Sequence, residues 1–197
     1  MNENCYILTS GDESVIIDPG EVTSELTALV GRLNVKYILL THGHFDHIGA
    51  LSEIKNITSA KVCIHKNDAG KLLDASKSLA VDFGYPNFTV PEADILLSEG
   101  DTLTFGSEKI RVMETPGHTS GSVCFITDKD IFSGDTLFCL TYGRTDFPDG
   151  DTAALVASID RLMALEGNYT VHPGHNRDTD LDTERIQNRY SRLRKYL

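Results

Sequence analysis

The hexapeptide His42-Gly43-His44-Phe45-Asp46-His47 puts three imidazoles and a carboxylate into one short stretch, directly after the apolar run 37–40. In extended backbone, residues i and i+2 point to the same side, so His42 and His44 can grip one ion. Imidazole nitrogen binds zinc at about 2.0–2.1 Å, a reach this spacing allows. On a helix, side chains two residues apart diverge, which predicts that the pair sits on a loop. Gly43 is read as the residue that lets the backbone bend tightly between them. Asp46 and His47 then face elsewhere and can serve a second ion. His118, Asp135 and His175 each follow an apolar run as well, in VMETPGH, IFSGD and YTVHPGH. Separate strand ends delivering donors to one rim are what a metal site across the edge of a sheet requires. Nitrogen and carboxylate donors without cysteine suit zinc and equally permit iron or manganese.

The elements that must position these residues are short. Residues 5–9 and 14–17 pattern as a hairpin around Gly11-Asp12, and 22–33 carry helical spacing through Val22, Leu26, Leu29, Val30 and Leu33. Strands are predicted over 37–40 and 61–64, and short helices over 49–55 and 67–73. Residues 75–92 have no clear period and read as a long surface loop, a candidate lid. From Ile95 the pattern is mostly β, with strands at 101–105, 109–114, 122–127 and 131–133. An amphipathic helix over 151–165, a last strand over 169–172 and a terminal helix over 183–197 complete the chain. Strands mixed with helices, without internal repeat or low-complexity linker, predict a single α/β domain spanning 1–197.

Composition narrows the function. The 197 residues are 40% hydrophobic and 24% charged, as in an ordinary globular protein. Twenty-nine acidic against 18 basic residues give a formal charge of −11, a field that repels phosphate backbones and argues against nucleic acid as a partner. No apolar stretch approaches the roughly 18 residues that a membrane span needs, and the N-terminus lacks the pattern of a signal peptide. Cys5, Cys63, Cys124 and Cys139 are far apart, three of them within apolar runs, which predicts buried free thiols and a cytoplasmic location.

THGHFDH, TPGHTSGS, SGDTLF and HPGH together resemble the metallo-β-lactamase superfamily. Within it, the chain is most similar to short glyoxalase II-like (hydroxyacylglutathione hydrolase-like) enzymes, from Asn4-Cys5-Tyr6 to His175. The resemblance implies a four-layer αββα sandwich with mixed sheets. It implies that His42, His44 and His118 hold one metal, that Asp46, His47 and His175 hold another, and that Asp135 bridges both. Two divalent ions, most simply Zn2+ with Fe or Mn as alternatives, would share a bridging hydroxide that attacks an acyl carbonyl. Asp46 would double as a catalytic residue by accepting the hydrogen bond of that hydroxide. The implied activity is hydrolysis of a thioester of a small hydroxyacid. A mononuclear iron persulfide dioxygenase and a lactonase are the alternatives within the superfamily. A thiolate leaves without help from a general acid, since thiol pKa values lie near 8.5, and no such acid is evident here.

The same resemblance gives Arg144 a substrate-binding role on a substrate carboxylate; Tyr142 shares that loop and is read as a substrate-binding residue, with a lining or packing role as the alternative. The partner it implies is a small-molecule thioester or related acyl substrate, bound by a monomer or homodimer. Full-length glyoxalase II enzymes carry a C-terminal helical extension that builds much of the glutathione pocket, and the expectation from the resemblance is a single domain over 1–197 without it. Asn176 stands where the family commonly carries glycine, which predicts a different loop shape. His65 and His172 are expected to serve as supporting residues, and Asp149-Gly150-Asp151 as a turn into a helix cap. Arg185, Arg189 and Arg192 would share a solvated face of the terminal helix.

Overall fold

The apolar runs build two sheets. The computed structural model describes residues 3–196; Met1, Asn2 and Leu197, the last closing the predicted terminal helix, lie outside the described residues. The first sheet contains β1 (Tyr6–Ser10), β2 (Glu13–Ile17), β3 (Val35–Leu39), β4 (Lys61–His65) and β5 (Ile95–Leu97), in that order. β1 and β2 form the expected hairpin, with Gly11 at φ +58° supplying the left-handed corner of a two-residue turn. The remaining pairs are parallel. Next come β6 (Thr102–Phe105), β7 (Glu108–Glu114), β8 (Val123–Ile126) and β9 (Asp130–Gly134), then a small ribbon of β10 (Leu137–Phe138) and β11 (Thr141–Tyr142). With β12 (Thr170–Pro173) and β13 (Thr179–Asp180), β6–β9 complete a second sheet of order β13-β12-β9-β8-β7-β6.

Successive side chains on a strand face opposite sides, and here both sides are covered. Val15, Ile17, Leu39 and Cys63 of the first sheet meet Val112, Val123, Phe125 and Phe132 of the second in a central layer. The residues between them, Ile16, Ile38, Val62 and Ile64, pack with α1 (Ser24–Val30) and α3 (Leu51–Thr58). On the far side, Cys124, Ile126, Ile131 and Val171 pack with α4 (Thr152–Met163) and α5 (Leu181–Gln187). The layers are helix, sheet, sheet, helix, as the resemblance implied. No helix of the described residues is long and apolar enough to cross a membrane. Because β7–β8 and β8–β9 are antiparallel and β9–β12 is parallel, β7, β9 and β12 run in one direction. Their C-terminal ends therefore share one edge of the second sheet.

Three expectations are corrected. The helix predicted over 183–197 is two pieces: α5 stops where Asn188 turns extended (ψ 140°), and a 3-10 segment, Tyr190–Tyr196, follows. Asn188 enforces the break, because its side chain donates to Thr141 O and Glu184 and accepts from Tyr190 N. Arg185, Arg189 and Arg192 consequently share no helix face. Arg185 instead donates to the carbonyls of Met163, Leu165 and Gly167, where a cation suits the exposed C-terminal end of α4. The helix predicted over 67–73 is a 3-10 turn, Ala69–Leu73. Residues 75–92 are the expected surface segment, exposed throughout 81–87, but they are anchored at their base and do not stand free as a lid. Ala75 and Ala80 are buried against Phe45 and Phe88, and Phe45 N donates to Ser78 O at 2.8 Å. Asp151 does cap α4, accepting from Ala154 N at 2.9 Å, whereas Asp149 turns to Lys71 Nζ at 2.6 Å.

Candidate metal centre

The chain leaves β3 through a loop carrying His42 and His44, then makes a single helical turn, α2 (Phe45–Ile48), with His44 at its N-cap. That turn rotates Asp46 and His47 away from His42 and His44, and no four-residue periodicity could have announced it. His118 lies between β7 and β8, Asp135 follows β9, and His175 follows β12. The structure brings all seven side chains together. His42, His44 and His118 form one set, Asp46, His47 and His175 another, and His42, His47 and Asp135 a third; within each, donor atoms lie within 4.8 Å of one another. Asp135 joins the sets, with Oδ1 3.3 Å from His47 Nε2 and Oδ2 3.5 and 3.7 Å from His118 Nε2 and His175 Nε2.

These residues fit divalent cations. His42 Nε2 is buried without a hydrogen-bond partner, and His47 Nε2 and Asp135 Oδ1, also buried and 3.3 Å apart, make no well-aligned hydrogen bond. Bare buried polar atoms cost about 1–3 kcal/mol each, and all three belong to one of the sets above. Imidazole nitrogens and carboxylate oxygens are the donors that zinc, iron and manganese accept.

Electrostatics divide the histidines. Burial pushes His42 well below its ordinary value, and burial with the neighbouring His118 brings His44 down to about 3. Both keep a lone pair for a metal at neutral pH. Burial opposes charge on His47 too, but Asp135 and Asp18 on either side raise it well above the imidazole range. Burial likewise works to raise Asp46 and Asp135, yet His175 and His47 hold the first, and chiefly His47 the second, below the usual carboxylate range. The metal-free chain thus carries a proton on His47 that an incoming ion must expel. Zinc uptake is expected to release about one proton per chain and to tighten about tenfold per pH unit as pH rises towards the raised His47 value. Competition against a chelator between about pH 5.5 and 8.5 checks this, and a flat profile would show that no proton is expelled from His47 on binding.

The residues behind the donors were not read from sequence. Asp18 accepts from Thr41 N, Thr41 Oγ1 and His47 Nδ1 at 2.7, 2.6 and 2.9 Å, fixing the ring of His47. Its position at the end of the run 15–17 matches that of Asp135 after β9, a signal that was available. Asp68, fully buried, accepts from Gly43 N, Thr119 Oγ1, Gly121 N and Lys71 Nζ, between 2.8 and 3.0 Å. Gly43 is needed for contact more than for bending: a Cβ there would sit 2.7 Å from Lys71 Cβ. Asn176 adopts φ +70°, a left-handed conformation asparagine tolerates, so the expected change of loop shape has no such origin. His65 is bound to Glu114 at 2.8 Å, tying β4 to β7. His172 is held by Asp130 and Asp178, both at 3.0 Å, and supports β12 rather than the donors.

A cavity of about 430 Å³ opens over the centre, lined by His44, Asp46, His118, Asp135 and His175 together with Leu79, Phe83, Phe138 and Phe147. Tyr142 and Arg144 line it as well. The Arg144 guanidinium is forked by Asp146, with both contacts 2.6 Å, and lies over the Phe147 ring. Its backbone carbonyl does more for the centre: it accepts from His118 Nδ1 at 2.8 Å and leaves Nε2 facing the other donors.

An αββα sandwich that gathers histidines and aspartates at its strand ends is a metallo-hydrolase scaffold, and comparison agrees. The profile of the metallo-β-lactamase superfamily matches residues 1–175, and the chain belongs to that superfamily. It is 36% identical over 193 residues to the probable metallo-hydrolase YqgX of Bacillus subtilis (strain 168), covering 95% of this chain and 92% of the relative. It is 32% identical over 195 residues to the hydroxyacylglutathione hydrolase GloC of Haemophilus influenzae, with coverage of 95% and 92%. Among solved structures, the BLEG-1 B3 metallo-beta-lactamase superposes with a TM-score of 0.89 at 36% identity, covering 95% of this chain and 93% of its own. TTHA1623, solved in a di-iron-bound form, superposes with a TM-score of 0.81 at 35% identity, covering 95% and 94%.

Proposed function

We propose that the chain is a binuclear metal-dependent hydrolase that cleaves a thioester of a small hydroxyacid. The observation that carries this reading is the doubled donor set: two separate trios, with one carboxylate, Asp135, reaching imidazoles of both. That arrangement offers donors for two ions, as the hydrolysis reading requires; one iron per chain with oxygen uptake on a persulfide would favour the oxygenase instead. The likeness to a hydroxyacylglutathione hydrolase supports an acyl thioester as substrate. Divalent ions held here supply activated water near neutral pH and Lewis acidity towards a carbonyl. Zinc is the metal we assign, with iron the alternative that the di-iron-bound relative supports.

The chain's own residues do the rest. Asp46 lines the cavity with its carboxylate held ionised, placed to accept a hydrogen bond from the attacking water and to orient it. Tyr142 and Arg144 form the wall that receives the substrate, although a carboxylate on that substrate must compete with Asp146 for the guanidinium. A thiolate leaving group needs no proton donor among them. Four free cysteines support a reducing, cytoplasmic setting, and the acidic charge supports a small-molecule substrate over nucleic acid.

Steady-state hydrolysis of S-lactoylglutathione by protein of measured metal content, with Asp135→Ala as the blank, tests the proposal. Turnover well above the blank is expected. Absence of turnover from protein shown to hold two ions would remove glutathione as the carrier and move the search to other thioesters and lactones.

A further inference from the structure

Apolar surface does not end at the metal cavity. Phe83, on the surface segment 75–92, lines that cavity and also a neighbouring cleft of about 600 Å³. The cleft floor is aromatic: Phe45, adjacent in the chain to Asp46, stacks on Tyr85 at 4.9 Å and meets Phe83 and Phe88 at 5.5 and 4.7 Å. Phe83, Tyr85 and Val22 are 50%, 55% and 53% exposed and line the cleft together. On the wall of the metal cavity, Leu79 holds φ +63°, a left-handed conformation that bulky residues rarely adopt. Such strain persists only where the surroundings impose it, and here it accompanies a leucine on the cavity wall.

The charges along this path are equally informative. Glu21 is the charged residue lining the cleft. Among the described residues, Arg144 is the only lysine or arginine lining the metal cavity, and Asp146 already holds it in a fork. Within this cleft a thiol carrier with free carboxylates, such as glutathione, would meet Glu21 and aromatic rings, whereas lysines line the pocket on the Leu79 side of the metal cavity.

We infer that the cleft through Phe83, Tyr85 and Val22 is a second substrate subsite, which binds a neutral, apolar arm on the thiol side of the thioester. The inference rests on the thioesterase reading above and names the carrier class that this reading leaves open. The hydroxyacyl group sits at the metal centre, and the alkyl or aryl arm of the leaving thiol lies along the aromatic floor. Hydrolysis of the carbon–sulfur bond by water releases the acid and the free apolar thiol, and no other reactant is needed.

The test holds the acyl group constant and varies the thiol, using lactoyl thioesters of hexanethiol, N-acetylcysteamine and glutathione on the metal-loaded enzyme. The hexanethiol ester is expected to have the highest kcat/KM, by tenfold or more over glutathione. Phe83→Ser and Tyr85→Ser, both at exposed positions, should each cut that preference by about tenfold, mainly through KM. Calorimetric binding of the non-hydrolysable hexyl ketone, with methylene replacing the thioester sulfur, should weaken in step. If no thioester turns over but the ketone binds and both variants weaken it, the hydrolase reading falls and the subsite stands. Preference for the glutathione ester, or variants that leave both preference and ketone binding unchanged, overturns the subsite. So does a wild-type dimer in sedimentation velocity that the two variants convert to monomer without altering KM, since a second copy then covers the cleft.

Discussion

Asp135→Ala is expected to lose tightly bound metal from both trios and to reduce hydrolysis to that of the metal-stripped protein. The expectation follows from reach. Asp135 is the one carboxylate whose oxygens approach His47 on one side, His118 on another and His175 on a third, at 3.3 to 3.7 Å. Alanine removes a donor common to both ions and leaves five imidazoles and Asp46 to hold two dications, with less negative charge and no bridge. It also removes the leading attraction that keeps His47 protonated, so His47 should titrate at lower pH in the variant. Asp135→Asn, which keeps the volume but gives up the charge, should retain more metal than alanine and still hydrolyse poorly. Metal analysis after dialysis, beside a thermal melt to show that the variant is folded, reads the result. Two ions retained per chain by Asp135→Ala would end the bridging assignment.

What the sequence made legible is the chemistry that has a short-range signature. His42, His44, Asp46 and His47 are close neighbours, and residue types that ligate metals are uncommon at such density, so the cluster stands out of the background. His118, Asp135 and His175 were legible for a different reason. Each ends a strand, and strands covered on both faces read as apolar runs whose ends are sharp. The hairpin at Gly11 was readable because a two-residue turn constrains its own residues. The α2 turn, the β10–β11 ribbon and β13 are too short to carry a period. The break at Asn188 depends on Thr141, far away in sequence, so a helical pattern ran through it unopposed. Apart from the nearby Lys71, Asp68 binds partners 25 to 53 residues distant, and nothing in its immediate neighbours distinguishes it from a surface aspartate, whereas Asp18, at the end of the run 15–17, carried a signal that went unread.

Asp68 deserves the second large effect because it holds two donor loops in one place. Its Oδ2 takes Gly43 N and Thr119 Oγ1, each at 2.9 Å, so one oxygen joins the backbone between His42 and His44 to the residue after His118. Its Oδ1 takes Gly121 N at 3.0 Å and the buried Lys71 ammonium at 2.8 Å. Asp68→Ala would strand two buried N–H groups and leave Lys71 with Asp149 alone. Breaking a buried ion pair from one side costs about 3–5 kcal/mol, and we expect a loss of stability of that size in urea denaturation of the metal-free chain. Partners that orient metal ligands are worth about 10–100-fold in affinity, so the His42/His44/His118 trio should weaken by about that factor while the Asp46/His47/His175 trio weakens less. Asp68→Asn discriminates between charge and geometry. The amide keeps one acceptor for the Gly43 and Thr119 side, so it should preserve metal affinity better than it preserves stability. Equal losses at both trios, or unchanged stability in the alanine variant, would show that the two loops hold their arrangement without Asp68.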